Sequence, residues 1–149
     1  MTEQKNNCIF CKIGQGIDEQ TELLYQDDDF AVFKDRRPAA AHHYLVIPKD
    51  HIANPKQLNS SHIPLVEKMI LIGQQLLNDR KGDTKDTSYG FHWPPFHSIP
   101  HLHLHVISPA ASMRWVQRFI FRPNSLWFVT AEWLISRLKA MDVTPVDTT

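Results

Sequence analysis

The chain has only two cysteines among its 149 residues, too few for a disulfide framework. No apolar run is long enough to span a bilayer. The start, MTEQKNNCIF, is polar and lacks the apolar segment of a signal peptide. Surplus charge is missing too: Lys plus Arg and Asp plus Glu number 16 each. A neutral chain exerts no broad electrostatic pull on nucleic acid or anionic membrane, although Arg36, Arg37, Arg114, Arg118 and Arg122 leave room for a local basic patch. There is no internal repeat and no low-complexity stretch. These absences predict a soluble cytoplasmic protein, with nuclear entry left open and with neither a membrane nor a nucleic-acid partner.

The length suits one domain with a core of its own, expected over 8–141 between a disordered start (1–7) and a disordered tail (142–149). TELLYQDDDFAVFKD reads as two strands around an acidic turn at Asp27 to Asp29, and AHHYLVIPKDH as a third strand ended by Pro48. A helix is expected over HIPLVEKMILIGQQLLNDR, capped by Ser60 or Ser61, with Pro64 tolerated in its first turn. Leu65, Val66, Met69, Ile72, Gly73, Leu76 and Leu77 fall on one face of it. TSYGFHW and the segment between Pro100 and Pro109 supply further strands, and Thr130 caps a last helix, AEWLISRLKAM. Strands, helix, strands, helix, with tight turns between neighbouring strands, predict an α+β fold with an antiparallel sheet.

Within the segment between those prolines stands HLHLHVIS, residues 101–108. On a strand, His101, His103 and His105 share one face and Leu102, Leu104 and Val106 the other. The leucine face buries in a core, and the imidazole face looks into a site. Three readings compete: a surface strand, a zinc cage, and nucleophilic catalysis by an imidazole. A catalytic zinc hydrolase would want a carboxylate base close by, and residues 91–109 contain no Asp or Glu. That favours the nucleophile, since neutral imidazole exists at pH 7 and attacks phosphorus.

The same stretch resembles the signature of the histidine triad family, and CIFCKI, VFKDRRPAAAHHYLVIPKDHI and GFHWPPFHSIPHLHLHVISP resemble its Hint branch in the right order. The resemblance covers about Cys8 to Leu138. It implies a HIT-like α+β fold with a five-stranded antiparallel sheet, one central helix and a C-terminal helix, paired into a homodimer. It also implies an adenosine 5'-monophosphoramidase, a nucleotide-binding hydrolase of AMP-amine conjugates that works through an adenylyl-histidine and needs no metal. Carried over by position, His103 is the nucleophile, His105 contacts phosphate, His43 supports the triad and Ser98 helps protonate the leaving amine. Asp35 matches the ribose-contacting acid, and Arg36, Phe96 and His97 join the substrate-binding set. Phe96 and His97 stand where the family carries small and amide residues, and Gly90 where it carries a nucleotide-contacting asparagine. Leu23, Phe30, Val32 and Phe33 are the adenine-side wall by the same placement.

Cys8 and Cys11 admit two readings: ordinary small residues, or half of a structural zinc site. Some members of the superfamily close such a site with residues that correspond here to His51 and His101, a Cys2His2 set. His42 is expected to be structural or exposed and His62 solvated, while His92 and His97 flank the site-forming WPPF loop as candidate substrate contacts. Trp115, Phe119, Phe121, Trp127 and Phe128 suit a core or a dimer surface.

Two rival functions remain. One is an aprataxin-like DNA adenylate hydrolase, disfavoured by the zero net charge and by the lack of any segment like the extra zinc finger of those enzymes. The other is a non-catalytic nucleotide-binding or scaffold protein, against which the intact His103, Ser98 and His105 speak. Dinucleoside polyphosphate hydrolases carry a glutamine just before the triad, where this chain has Pro100.

Overall fold

The acidic turn is built by one side chain. Asp27 Oδ1 accepts from the backbone N–H of Asp29 at 2.8 Å and of Phe30 at 2.7 Å, while Oδ2 accepts from the Tyr25 hydroxyl at 2.7 Å. An aspartate that satisfies its own turn in this way favours a tight reversal, and it joins β1 (Tyr25–Gln26) to β2 (Phe30–Lys34). The computed structural model describes residues 7–96 and 99–141. The expected disordered start and tail therefore lie outside the described residues, apart from Asn7, Met141 closes the last helix, and His97 and Ser98 lie outside them too.

Four more strands complete the sheet: β3 (His42–Pro48), β4 (Ser88–His92), β5 (Leu104–Ser108) and β6 (Phe128–Thr130), in the order β1-β2-β3-β5-β4-β6 with every pairing antiparallel. The α+β antiparallel expectation holds, with six strands in place of five. The extra strand is β6, whose three residues pair with the outer edge of β4. It is too short to show a period, and it runs straight into a helix cap. The helices are α1 (Ile9–Gly14), α2 (Ile63–Asp79), α3 (Trp115–Ile120) and α4 (Ala131–Met141). The central and C-terminal helices match the expectation, while α1 and α3 are short additions. No helix among the described residues is long and apolar enough to cross a membrane.

Alternation divides the sheet. Phe30, Val32, Tyr44, Val46, Phe91, Leu104, Val106 and Val129 face α2 and α4, in a core shared with Val66, Met69, Leu77, Leu134 and Leu138. Phe30 and Val32 are thus core residues on the helix side, which corrects their place in the expected adenine wall; Phe33, one residue out of phase, faces the other way. On that opposite face two smaller clusters form. Phe10, Cys11 and Ile13 of α1 pack on Ala31, Phe33, Leu45 and Ile47, and Ile107, Met113, Phe121 and Phe128 gather at the other end. The histidines lie between these clusters.

Two local expectations change. Neither Ser60 nor Ser61 caps α2: Asn59 caps the 3-10 turn that precedes it, its side chain accepting from Ser61 N–H while His62 Nδ1 accepts from Asn59 N–H, and α2 begins at Ile63 after the serines. His62 thus belongs to the cap. In addition, the ladder of β5 begins only at Leu104. Ahead of it, Leu102 N–H donates to the Ile52 carbonyl at 2.6 Å rather than to β3, because the loop after Pro48 crosses there. Leu102 still points into the helix-side core. Thr130 does cap α4, accepting from Trp133 N–H at 3.1 Å.

Gly73 lets α2 settle against β5, since a Cβ there would stand 2.8 Å from Val106 Cγ2. Leu104 is fully buried beneath that contact. Leu104→Ala is expected to cost about 2–5 kcal/mol of stability, read as a lower denaturation midpoint with an unchanged slope.

Candidate active site

Three imidazoles form a chain whose protons are set by the backbone at both ends. Ala39 N–H donates to His43 Nδ1 at 2.9 Å, so His43 carries its proton on Nε2. That Nε2–H points at His105 Nδ1, 2.9 Å away, with Asp35 Oδ2 3.3 Å from the same nitrogen. His105 then carries its proton on Nε2, facing His92 Nδ1 at 3.3 Å, and His92 Nε2 faces the Ile120 carbonyl at 3.3 Å. The sequence offered His92 as a candidate substrate contact beside the WPPF loop, not as a member of this row. The signal was its parity with Gly90: Gly90 pairs with His105 across β4 and β5, and His92 lies two residues on, on the same face.

His103 stands beside this chain, its ring centroid 5.0 Å from that of His105. Its Nδ1–H donates to the His101 carbonyl at 2.6 Å, which leaves the lone pair on Nε2. Burial draws the His103 pKa down to about 4, the bond to His101 opposing and the neighbouring histidines adding. Burial likewise holds His105 well below 6.5, with His103, His43 and His92 adding. Burial also brings His43 down to about 4, against the pull of the Asp35 carboxylate. All three rings are therefore neutral near pH 7, the state in which an imidazole is a nucleophile or a directional donor.

His103 also borders a cavity of about 180 Å³, walled by Ile9, Phe10, Ile13, Phe33, Leu45 and Ile99 and rimmed by Thr21, Lys34, Asp35 and Arg36. A mainly apolar slot with an acid and a cation at its rim suits a base and sugar with a phosphate at the inner end. Asp35 and Arg36 are thus placed together at the cavity and Phe33 in its wall, while Leu23 packs behind, against the α1 cluster. Phe96 is exposed and does not line it. His97 and Ser98, expected to bind substrate and to supply a proton, lie outside the described residues. His42 Nδ1 faces the Tyr44 hydroxyl at 2.7 Å, a structural contact. Two rings not anticipated from sequence frame the site: Phe10, edge-on to His103 at 5.1 Å, and Phe121, 5.1–5.3 Å from His43, His92 and His105. Phe121 and Phe128 are buried, whereas Trp115 and Phe119 are exposed.

The first triad histidine turns elsewhere. His101 Nε2–H donates to the Pro48 carbonyl at 2.8 Å, aiming the Nδ1 lone pair at Cys8 Sγ (3.4 Å) and Cys11 Sγ (3.5 Å). His51 Nδ1 lies 3.3 Å from Cys11 Sγ, and all four ligand atoms fall within 4.8 Å of one another. A tetrahedral zinc with its usual bond lengths needs sulfur–nitrogen edges of about 3.5 Å. The donor set fits such an ion, and the Pro48 bond supplies the outer contact that orients a metal-binding imidazole.

A sheet with a buried row of imidazoles at its centre, one helix core behind it and a mainly apolar cavity in front, defines a histidine triad protein. The chain belongs to the histidine triad family: the family model described as "Scavenger mRNA decapping enzyme C-term binding" matches residues 7–120. Among its relatives, the Xenopus tropicalis protein named adenosine 5'-monophosphoramidase HINT3 is 47% identical over 90% of this chain and 88% of its own length. An aprataxin of Ciona intestinalis is 34% identical over 60% of this chain but only 24% of its own length. Among solved structures, a HIT family hydrolase from Clostridium thermocellum shares 29% identity, with a TM-score of 0.65 over 70% of this chain and 92% of that one.

Two measurements follow. His43 titrates near 6.5 when unfolded and near 4 when folded, so as pH falls the unfolded state takes up the proton first. Its contribution to stability is present above 6.5 and drains away toward 4. Denaturant melts through that window will show a falling midpoint, and His43→Asn will flatten the fall. Separately, elemental analysis of protein purified without chelator is expected to find about one zinc per chain, and Cys8→Ser/Cys11→Ser protein to find none.

Proposed function

We propose that this chain is a nucleoside phosphoramidate hydrolase, an adenosine 5'-monophosphoramidase that cleaves the P–N bond of AMP-amine conjugates. One observation carries the reading: a buried, neutral His103 spends its Nδ1–H on a backbone carbonyl and keeps its Nε2 lone pair at the edge of the cavity. The name of the Xenopus tropicalis relative supports the same activity.

In this mechanism His103 Nε2 attacks the α-phosphorus in line, the P–N bond to the amine breaks, and a P–N bond to His103 forms. The departing nitrogen needs a proton, because an amide anion is a poor leaving group. Ser98 delivers it, relayed from a histidine that regains a proton from the water of the second half-reaction. As charge grows on a phosphoryl oxygen, His105 Nε2–H turns from His92 Nδ1, which it faces in the free site, to that oxygen, and His43 holds His105 in the tautomer that makes this possible. Asp35 contacts the ribose, and Arg36 binds substrate beside it. Water then adds to phosphorus, the P–N bond to His103 breaks, and AMP leaves. Zinc held by Cys8, Cys11, His51 and His101 would cross-link the structure around His101 and take no part in these steps.

The reading includes a homodimer, as the family resemblance implies, and the exposed Trp115, Phe119 and Leu126 offer apolar surface for it. It also includes a cytoplasmic setting, nuclear entry being open, and a small nucleotide rather than DNA as the partner. Zero net charge supports that choice.

His103→Asn is expected to lose at least ~10³-fold in turnover, about 4 kcal/mol of barrier, while still binding AMP. Rapid quenching with labelled substrate should find AMP on His103 of the wild type. Near-normal turnover by folded His103→Asn protein would end the nucleophile assignment. Side by side, an AMP-amine conjugate should be cleaved far faster than adenylated nicked DNA, and equal efficiencies would favour the aprataxin-like activity.

A further inference from the structure

Helix α1 has six residues, too few to be stable through its own hydrogen bonds. Its N-cap is Cys8, whose Sγ accepts from Cys11 N–H at 3.4 Å, so the capping atom is itself one of the four clustered donors. Both cysteines belong to this one turn of chain. Ile9, Phe10 and Ile13, interleaved with them, line the cavity beside His103. The Phe10 ring stands perpendicular to His103, at 88° and 5.1 Å, and also meets Phe33 at 5.2 Å and His101 at 6.0 Å. The other two donors reach the site by different routes. His101 offers the carbonyl that receives the His103 proton. His51 precedes Ile52, whose carbonyl holds Leu102 N–H. One cluster thus ties together a wall of the cavity, the residue that orients the nucleophile, and the loop that anchors its strand.

We propose that the Cys8–Cys11–His51–His101 cluster controls nucleotide affinity: a bound zinc ion locks α1 in place, and the locked helix holds Ile13 as cavity wall and Phe10 as a positioning residue against His103. The inference rests on the placement of the nucleotide in the cavity and on zinc as the ion of the cluster. Without the ion, α1 is held by the packing of Phe10, Cys11 and Ile13 on Ala31, Phe33, Leu45 and Ile47 and by thiol contacts to imidazole, which are weak hydrogen bonds. Docked and undocked forms of the helix then exchange, and only the docked form presents the wall. Apparent affinity falls by the fraction docked.

The test uses the full chain, zinc-loaded, chelated, and chelated with zinc restored, with zinc content measured on each sample. AMP is the calorimetric probe, since it is not turned over. Affinity is expected to fall about ten-fold on chelation if the helix is docked in about a tenth of the molecules, and to return with zinc. Amide exchange should lose protection at Lys12 and Gln15, which bond to the Cys8 and Cys11 carbonyls, and keep it in α2. In zinc-loaded protein, Phe10→Ala should weaken AMP binding and lower kcat with zinc content unchanged, and Phe10→Leu should recover part of both. Equal AMP affinity in loaded and chelated samples of verified zinc content would overturn the inference and leave the zinc site standing. A chain that binds no zinc would overturn both. Zinc-dependent AMP binding in a protein that cleaves no phosphoramidate would keep the inference and remove the proposed activity.

Discussion

The hydrogen bond from His103 Nδ1–H to the His101 carbonyl, 2.6 Å long, is the contact on which the rest of the site depends. It fixes a tautomer, and the tautomer decides whether the ring is a nucleophile at all. A histidine free to exchange protons between its nitrogens would present the wrong one part of the time. The carbonyl can do this work because the backbone at His101 is itself immobile. Its side chain is fully buried, held by Pro48 on one side and the cysteine sulfurs on the other, and Leu102 beside it is sealed in the helix-side core.

Burial carries a cost that the same arrangement offsets. An imidazole out of water loses solvation for its charged form, and each ring in this row is driven toward neutrality. Neutral rings still need partners for both nitrogens. The row from Ala39 N–H through His43, His105 and His92 to the Ile120 carbonyl satisfies them in series, every ring donating forward from Nε2. Among the described residues, Asp35 is the carboxylate within reach. It lies 3.3 Å from His43 and 3.9 Å from His105, and its pull on His43 runs against the burial effect without outweighing it.

Much of this could be read from residue order because strands and helices impose fixed periods. The alternation in HLHLHV, the apolar face of α2 and the Asp27 turn all express local rules, and each appears at its expected place. What escaped was set by contacts distant in sequence. β6 exists because β4 has a free edge, not because three residues prefer to be extended. Asn59, not a serine, caps the turn ahead of α2 because His62 closes a reciprocal bond with it. Phe30 and Val32, placed in the adenine wall by family resemblance, cannot share it with Phe33, which is one residue out of phase on the same strand and faces the other side of the sheet. His92 could not be joined to His105 until the strand order was known.

The triad histidines, equivalent by spacing, divide their labour because the chain changes direction between them. At His105 the backbone is paired on both sides, with Leu45 and Gly90, so its ring is fixed by the sheet and hands its proton outward. At His101 the ladder has ended and Leu102 N–H has left for the Ile52 carbonyl, so the ring is free to turn toward the two sulfurs of α1. His103 lies between the two regimes, its carbonyl neighbour set by the cluster and its ring packed against the sheet's last fixed imidazole. In the proposed mechanism a repeat of three identical residues thereby serves one structural, one nucleophilic and one donor position, and the difference arises from where β5 begins.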